Sequence, residues 1–182
     1  ELCDEIELVI DEDYRKSATN MHDRFFYPLN EETNFKINQI FRKLTKDKIK
    51  SSKNLKIKGR TFEIKNYFEK IARFDFDYLC NQNIGAEDYI KIADACEYII
   101  IENIPKFNEE NINKQKRFIT LIDILYEKKI PLMTSSSVDL ENFGSSKALT
   151  DSFKRTLSRL YELTSINWSL KFLIKHKMLK CS

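Results

Sequence analysis

The sequence predicts an α/β fold built on a strand-helix-strand crossover and closed by a carboxyl-terminal helical segment. Three observations carry this. Short apolar runs of strand length alternate along the chain with longer segments whose apolar residues recur every three or four positions. The chain holds only 3 Gly and 3 Pro, too few for an architecture of many tight turns. Its 182 residues, 42% of them hydrophobic and 12% aromatic, suffice for a substantial core in one or two domains.

Residues 5–10 (EIELVI) alternate and then run apolar, the pattern of a partly buried strand, before the acidic turn at Asp11 and Asp13. With no sheet neighbours around it, this strand is expected to leave an exposed edge and to favour a non-native dimer in isolation. Asn30 precedes residues 31–44, where Phe35, Ile37, Ile40, Phe41 and Leu44 mark one face of an amphipathic helix capped by that asparagine. A basic loop follows. Leu55, Ile57, Phe62 and Ile64 then alternate with charged residues around Gly59 and Arg60, predicting a hairpin, and residues 71–76 (IARFDF) predict another strand.

Tyr89, Ile90, Ile92 and Ala93 predict a helix over residues 86–95, followed by a short buried strand at 97–103 that Pro105 halts. Residues 114–128 place Phe118, Leu121, Ile122 and Leu125 on one helical face, and residues 130–136 (IPLMTSS) return as a strand. Parallel pairing is the default for such a unit, so both strands should end on the same edge of the sheet. The last predicted elements are a helix over 151–163 with Phe153, Leu157, Leu160 and Tyr161 inward, and another over 168–179. The implied organisation is 1–54 (strand, helix and basic loop), 55–140 (an α/β subdomain) and 141–182 (the helical segment).

Composition narrows the chemistry. No run of apolar residues is long enough to span a bilayer, and the start of the chain shows no basic-then-apolar signal pattern. Beginning at Glu1, the chain is expected to be a fragment, with any targeting segment upstream. Cys3, Cys80, Cys96 and Cys181 form no C-x-x-C pair, and His22 and His176 are the only histidines, so reduced structural thiols and no metal site are expected. Asp75 and Asp77 alternate as paired carboxylates would, although Asp77 ahead of Tyr78 also reads as a helix cap.

The net charge is +3, yet the stretch from Arg42 to Arg60 carries nine basic residues against one acid, Asp47. Such a run can neutralise phosphates of nucleic acid or of an anionic membrane. No aromatic residue lies between Lys43 and Thr61 to stack on bases, so a solvated loop is expected and nucleic acid is not an expected partner. The alternative is a stand-alone protein- or RNA-interaction module that uses residues 42–60.

Several segments occur in an order that carries a resemblance: 58–64 (KGRTFEI), 72–80 (ARFDFDYLC), 85–89 (GAEDY), 102–105 (ENIP), 116–123 (KRFITLID) and 153–160 (FKRTLSRL). With Asp13-Tyr14-Arg15, Pro28-Leu29-Asn30 and Thr33-Asn34 upstream, they resemble the ZapE/AFG-one-like AAA+ ATPase family from residue 1 to about Trp168. The resemblance implies a partial P-loop ATPase-type sheet. It also implies a parent that uses ATP and Mg2+, acts on protein substrates in mitochondrial or membrane protein quality control, assembles as a homo-oligomer and associates with membranes in some settings. No P-loop is present, since none of Gly59, Gly85 and Gly144 precedes a Lys. The fragment alone is therefore expected to be catalytically inactive, to hold no cofactor and to need an amino-terminal ATPase half.

Within that frame, Arg155 and Arg159, spaced i, i+4, are the candidates for sensing the nucleotide's phosphate. Arg117 and Arg15 are candidates for arginine fingers acting across a subunit interface. Glu102, at the end of the apolar run 98–102, imitates a Walker B carboxylate, with Thr134, Ser135 and Ser136 in the place of a sensor strand. The resemblance argues against that pair being catalytic, because in the family these strands follow the true Walker B.

Overall fold

The computed structural model describes residues 24–165. The predicted strand at 5–10, the predicted helix at 168–179, Arg15, both histidines, Cys3 and Cys181 lie outside the described residues.

The described chain opens with β1 (Phe25–Phe26) and α1 (Glu31–Thr45). The Asn30 side chain accepts the Thr33 N–H at 2.8 Å, and Glu31 and Glu32 at the start with Arg42 and Lys43 at the end complement the helix dipole. Ile37 is buried, and Ile40 and Phe41 pack beside it against Phe26, Ile100 and Met133. Phe35, two residues from Ile37 and so on the far side of the helix, is 61% exposed rather than part of the apolar face.

The basic loop is mostly strand. β2 (Lys50–Ile57) pairs antiparallel with β3 (Arg60–Phe68), setting Leu55 opposite Phe62 and Ile57 opposite Arg60. The connection is the two-residue turn Lys58-Gly59, with φ of 45° and 79°, the doubly left-handed geometry that matches the twist of a tight hairpin. Ladder bonds to β3 hold the lysine-rich half of β2 in strand form whatever its side chains do. The strand runs through residues 54 and 55, so one sheet is shared by residues on both sides of that point.

β4 (Ile71–Asp75) ends one residue earlier than the alternation suggested, because Phe76 already opens α2 (Phe76–Cys80). Asp75, not Asp77, caps this helix, accepting the Asp77 N–H at 2.9 Å. The two aspartates therefore do not share a strand face. α3 (Ala86–Ala95), β5 (Tyr98–Ile104), α4 (Ile112–Lys128), β6 (Leu132–Ser136) and α5 (Thr150–Thr164) complete the described fold.

The sheet order is β1-β6-β5-β4-β3-β2. β5 and β6 are parallel, as the crossover predicts, and β4 and β1 extend the parallel set, with β3 and β2 added antiparallel at the far side. The result is the α/β class expected, consistent with a P-loop ATPase-type sheet.

Alternation along β5 divides the interior. Ile99 and Ile101 join the large core with α2 to α5, whereas Ile100 joins the smaller cluster beneath α1. In α4 the predicted Phe118, Leu121, Ile122 and Leu125 are all buried. In α5 Phe153, Leu160 and Leu163 point inward, while Tyr161 is 55% exposed. Ile90 of α3 is likewise turned outward, at 38%. Phe107 stacks on Phe143 at 5.7 Å and meets Phe118 at 5.5 Å and Phe153 at 5.3 Å, an aromatic knot that joins the segment after β5 to α4 and α5. Among the described residues no helix is long and apolar enough to cross a membrane.

Candidate functional site

Arg155 and Arg159, one turn apart on α5, converge on a single carboxylate. Arg159 Nη1 donates to Asp123 Oδ1 of α4 at 2.5 Å and Arg155 Nη2 to Oδ2 at 3.2 Å. The two are not equivalent. The Arg159 side chain is 21% exposed and its guanidinium lies 4.9 Å from the centre of the Tyr126 ring, whereas Arg155 is 59% exposed. The Tyr126 hydroxyl donates to Glu162 at 2.9 Å, a bond that, ahead of burial, raises its pKa. Asp123 sits within the resembling segment 116–123, yet the sequence alone does not pair it with these arginines. An i, i+4 pair of arginines beside an apolar stripe was the available signal, and the acid that answers it lies on another helix.

Arg117 faces the other way from α4. It donates to the Cys80 carbonyl at 3.3 Å, and its neighbour Lys114 pairs with Asp77 at 2.8 Å, so this side of α4 clasps α2. Cys80 and Cys96 are free and buried. Burial pushes the Cys80 thiol well above its usual range and the Cys96 thiol up to about 12, the setting of inert structural cysteines.

Glu102 lies at the carboxyl ends of the parallel strands, but both of its oxygens are engaged. Arg73 of β4 reaches them through Nε at 2.5 Å and Nη2 at 2.7 Å, and turns Nη1 to Asn38 of α1 at 2.8 Å. The guanidinium also covers the Phe41 ring at 4.8 Å. This bidentate pair joins β4 to β5 and holds the guanidinium so that its remaining N–H and its face reach α1. The strand register accounts for the pair: Arg73 is the cross-strand partner of Ile100, so Glu102, two residues on and on the same face, stands diagonal to it. Next to it Asn103, at φ 63°, donates its side-chain amide to Asp75 at 2.7 Å and its backbone N–H to the Ser135 hydroxyl at 3.1 Å. Ser136 accepts the Val138 N–H at 3.3 Å, and the buried Thr134 hydroxyl has no partner among the described residues.

A fourth cluster ties the hairpin to α3. Arg60 donates to the Asn83 carbonyl at 2.6 Å and to Asp88 at 2.5 Å, and the same Asp88 oxygen accepts the Gly85 N–H at 2.8 Å, capping α3. Asp88 is 3% exposed, so Arg60 neutralises a buried charge. Arg60 and Asp88 belong to two of the segments that carried the resemblance, 58–64 and 85–89.

Arg60, Arg73, Asp88, Glu102, Arg117, Asp123, Arg155 and Arg159 all lie in the segments that carry the resemblance. A sequence model of the AFG1-like ATPase family matches residues 1–171. The chain belongs to the AFG1-like ATPase family. This AFG1-like chain is 26% identical to the cell division protein ZapE of Escherichia coli strain K12 over 163 residues, which cover 90% of the chain and 44% of ZapE. It is 26% identical over 166 residues to the zebrafish lactation elevated protein 1 homolog B, covering 90% of the chain and 33% of that protein. An uncharacterised protein of Schizosaccharomyces pombe is 29% identical over 131 residues, 71% of the chain and 29% of the relative. The chain thus spans less than half the length of each of these relatives. No solved structure matches it.

Arg155 offers exposed guanidinium donors suited to a phosphate, but the Gly-Lys turn that wraps backbone N–H groups around phosphates is not in the sequence. Among the described residues no group of three or more His, Cys, Asp or Glu could hold a metal ion.

Proposed function

We propose that this chain serves as the carboxyl-terminal portion of an AFG1-like ATPase, with Arg155 as the phosphate-sensing residue and Arg159 as its positioning residue. The observation that carries the assignment is the shared carboxylate of Asp123, which holds two guanidiniums unequally. Arg159, half enclosed between Asp123 and the Tyr126 ring, fixes the α4–α5 contact. Arg155, more exposed and more loosely bonded, can leave Asp123 for a stronger anion at little cost, since an exposed pair contributes only about 0–1 kcal/mol. Bound nucleotide would supply that anion as its terminal phosphate.

For the whole protein we propose ATP and Mg2+ as cofactors, protein clients, a homo-oligomeric state in which Arg117 or Arg15 reaches a neighbouring subunit, and a role in mitochondrial or membrane protein quality control. The family resemblance, shared with a bacterial and two eukaryotic relatives, supports this reading. By the same reading the chain on its own hydrolyses no ATP.

The test separates the two arginines. In the chain joined to an AFG1-like nucleotide-binding half, Arg155→Ala should lower ATP turnover about 100- to 1,000-fold, the range for losing one preorganised charge donor, with the urea midpoint unchanged. Arg159→Ala should cost about 1–2 kcal/mol of stability, measured by urea unfolding of the chain alone. Wild-type turnover in Arg155→Ala would remove the sensing role. Binding of a magnesium-ATP analogue by the isolated chain would show that a complete site lies within it, and would shift attention to Glu102.

A further inference from the structure

We propose that the outer edge of β2 captures an extended, acidic polypeptide segment by adding it to the sheet as a seventh strand. The proposal does not depend on the ATPase reading and would stand if that reading failed.

β2 is the terminal strand of the six-stranded sheet, and the first five of its residues, Lys50 to Asn54, are exposed. The hairpin fixes which backbone groups face outward. A two-residue turn makes the closing pair, Ile57 and Arg60, exchange hydrogen bonds with each other, and Leu55 with Phe62 repeats that arrangement. The alternate residues, Asn54 and Lys56, therefore turn their N–H and C=O away from β3. Among the described residues no strand pairs with that side.

Most of the basic charge along this edge is uncompensated. Of the nine bases from Arg42 to Arg60, Lys48, Lys58 and Arg60 are paired, with Glu69 at 3.7 Å, Glu87 at 2.6 Å and Asp88 at 2.5 Å. Arg42, Lys43, Lys46, Lys50, Lys53 and Lys56 have no carboxylate partner among the described residues, and β2 itself contains no acid. Cross-strand pairing puts Lys53 on the side of Ile64 and Lys56 on the side of Thr61, so the two lysines flank opposite faces of the edge. An added strand whose carboxylates alternate between faces would meet a lysine on each. Lysines on an edge strand also guard it against pairing with a copy of itself, and repulsion between like edges together with attraction for acidic strands is selectivity.

A nucleic acid is the weaker occupant. The aromatic residues nearest the edge are used: Phe62 is buried, Phe68 meets Phe41 edge-on at 5.2 Å, and Tyr78 lies beneath Lys65 at 5.3 Å. No ring is left on the edge for bases to stack on, whereas the backbone donors and acceptors of Asn54 and Lys56 suit main-chain recognition.

The test uses fluorescence anisotropy of the full 182-residue chain with a labelled Glu/Thr peptide of repeating Glu-Glu-Thr-Thr order, which sets carboxylates on both faces of an added strand. The peptide should bind, its Lys-Thr counterpart should not, and the Lys53→Glu/Lys56→Glu variant should weaken binding at least about tenfold at low salt. Asn54→Pro removes one outward donor while leaving the inward ladder, so it should lose the peptide yet keep the wild-type circular dichroism spectrum. Should that variant misfold, protection of the Asn54 and Lys56 amides from exchange on peptide binding gives the same answer. Equal binding of the Glu-Thr peptide by Asn54→Pro, unprotected amides in the complex, or binding of phosphatidylglycerol vesicles or oligouridylate without the peptide would each overturn strand addition.

Discussion

At Gly144 the backbone holds φ at +70°, and a Cβ there would stand 2.5 Å from the Phe107 carbonyl oxygen. That carbonyl belongs to the centre of the aromatic knot, whose backbone is tied to the same segment by the Phe107 N–H bonding to the Phe143 carbonyl at 2.9 Å. Gly59 has a similar φ, +79°, with open space around it. The two positions separate backbone strain from steric collision. Gly59→Ala should cost about 1 kcal/mol, for the left-handed conformation alone. Gly144→Ala should cost at least about 2 kcal/mol, because moving the Phe107 carbonyl also disturbs rings that pack at 5.3–5.9 Å. Urea unfolding of both variants checks the ranking. Equal losses would mean that the loop moves aside and that the knot does not hold it.

Among the elements, α1 docks through a small apolar contact and through Arg73, whose guanidinium is held by Glu102 and reaches Asn38 and the Phe41 ring, so its attachment is a good place to measure what a polar clamp contributes. The cluster beneath it contains four buried residues, Phe26, Ile37, Ile100 and Met133, while Arg73 bridges Glu102 and Asn38 above them. Glu102→Ala leaves the largely buried Arg73 without its bidentate acceptor, and should cost about 2–3 kcal/mol in urea unfolding. A loss below about 0.5 kcal/mol, the size of an exposed pair, would show that solvent already screens it. Much of this architecture was legible beforehand. The 3.6-residue period identified the buried face of α4 outright, and the crossover from β5 to β6 followed from two apolar runs flanking that helix. Where the sequence misled, the cause was tertiary. Ile90 and Tyr161 are apolar residues beside an apolar stripe, and only the position of the sheet decides that they lie off it, whereas Phe35, two residues from Ile37, is off the stripe by helix geometry alone. β2 carries the lysines of a solvated loop, yet the ladder to β3 makes it strand. β1 is two residues long, too short for any period to register, and exists because Phe25 and Phe26 lie beside Thr134 and Ser135. The partners of Glu102, Arg155 and Arg159 sit 29, 32 and 36 residues away, a separation no local pattern reports.

Over the whole described molecule, the question is whether residues 1–54, 55–140 and 141–182 behave as separate units. β2 crosses the first of these divisions, and α5 beyond the second places Phe153, Leu160 and Leu163 in the same core as Leu121, Leu125 and Ile99. The Arg24 backbone carries the tie further: its N–H donates to the Thr164 carbonyl at 3.1 Å, and its carbonyl accepts the Thr134 N–H at 2.8 Å. The start of β1, the middle of β6 and the end of α5 are thus joined within one short network. Elements that share a core in this way lose their packing together, because removing one exposes apolar surface on the others. Urea unfolding should therefore give coincident transitions by far-UV circular dichroism and near-UV aromatic signals, and native-state amide exchange should find β5 and α5 opening with the same free energy. α1, resting on the smaller cluster, should open at a lower free energy than either. Opening of α5 well below β5 would instead mark 141–182 as an independent unit, and a separate early transition for β2 with β3 would move the division to the hairpin.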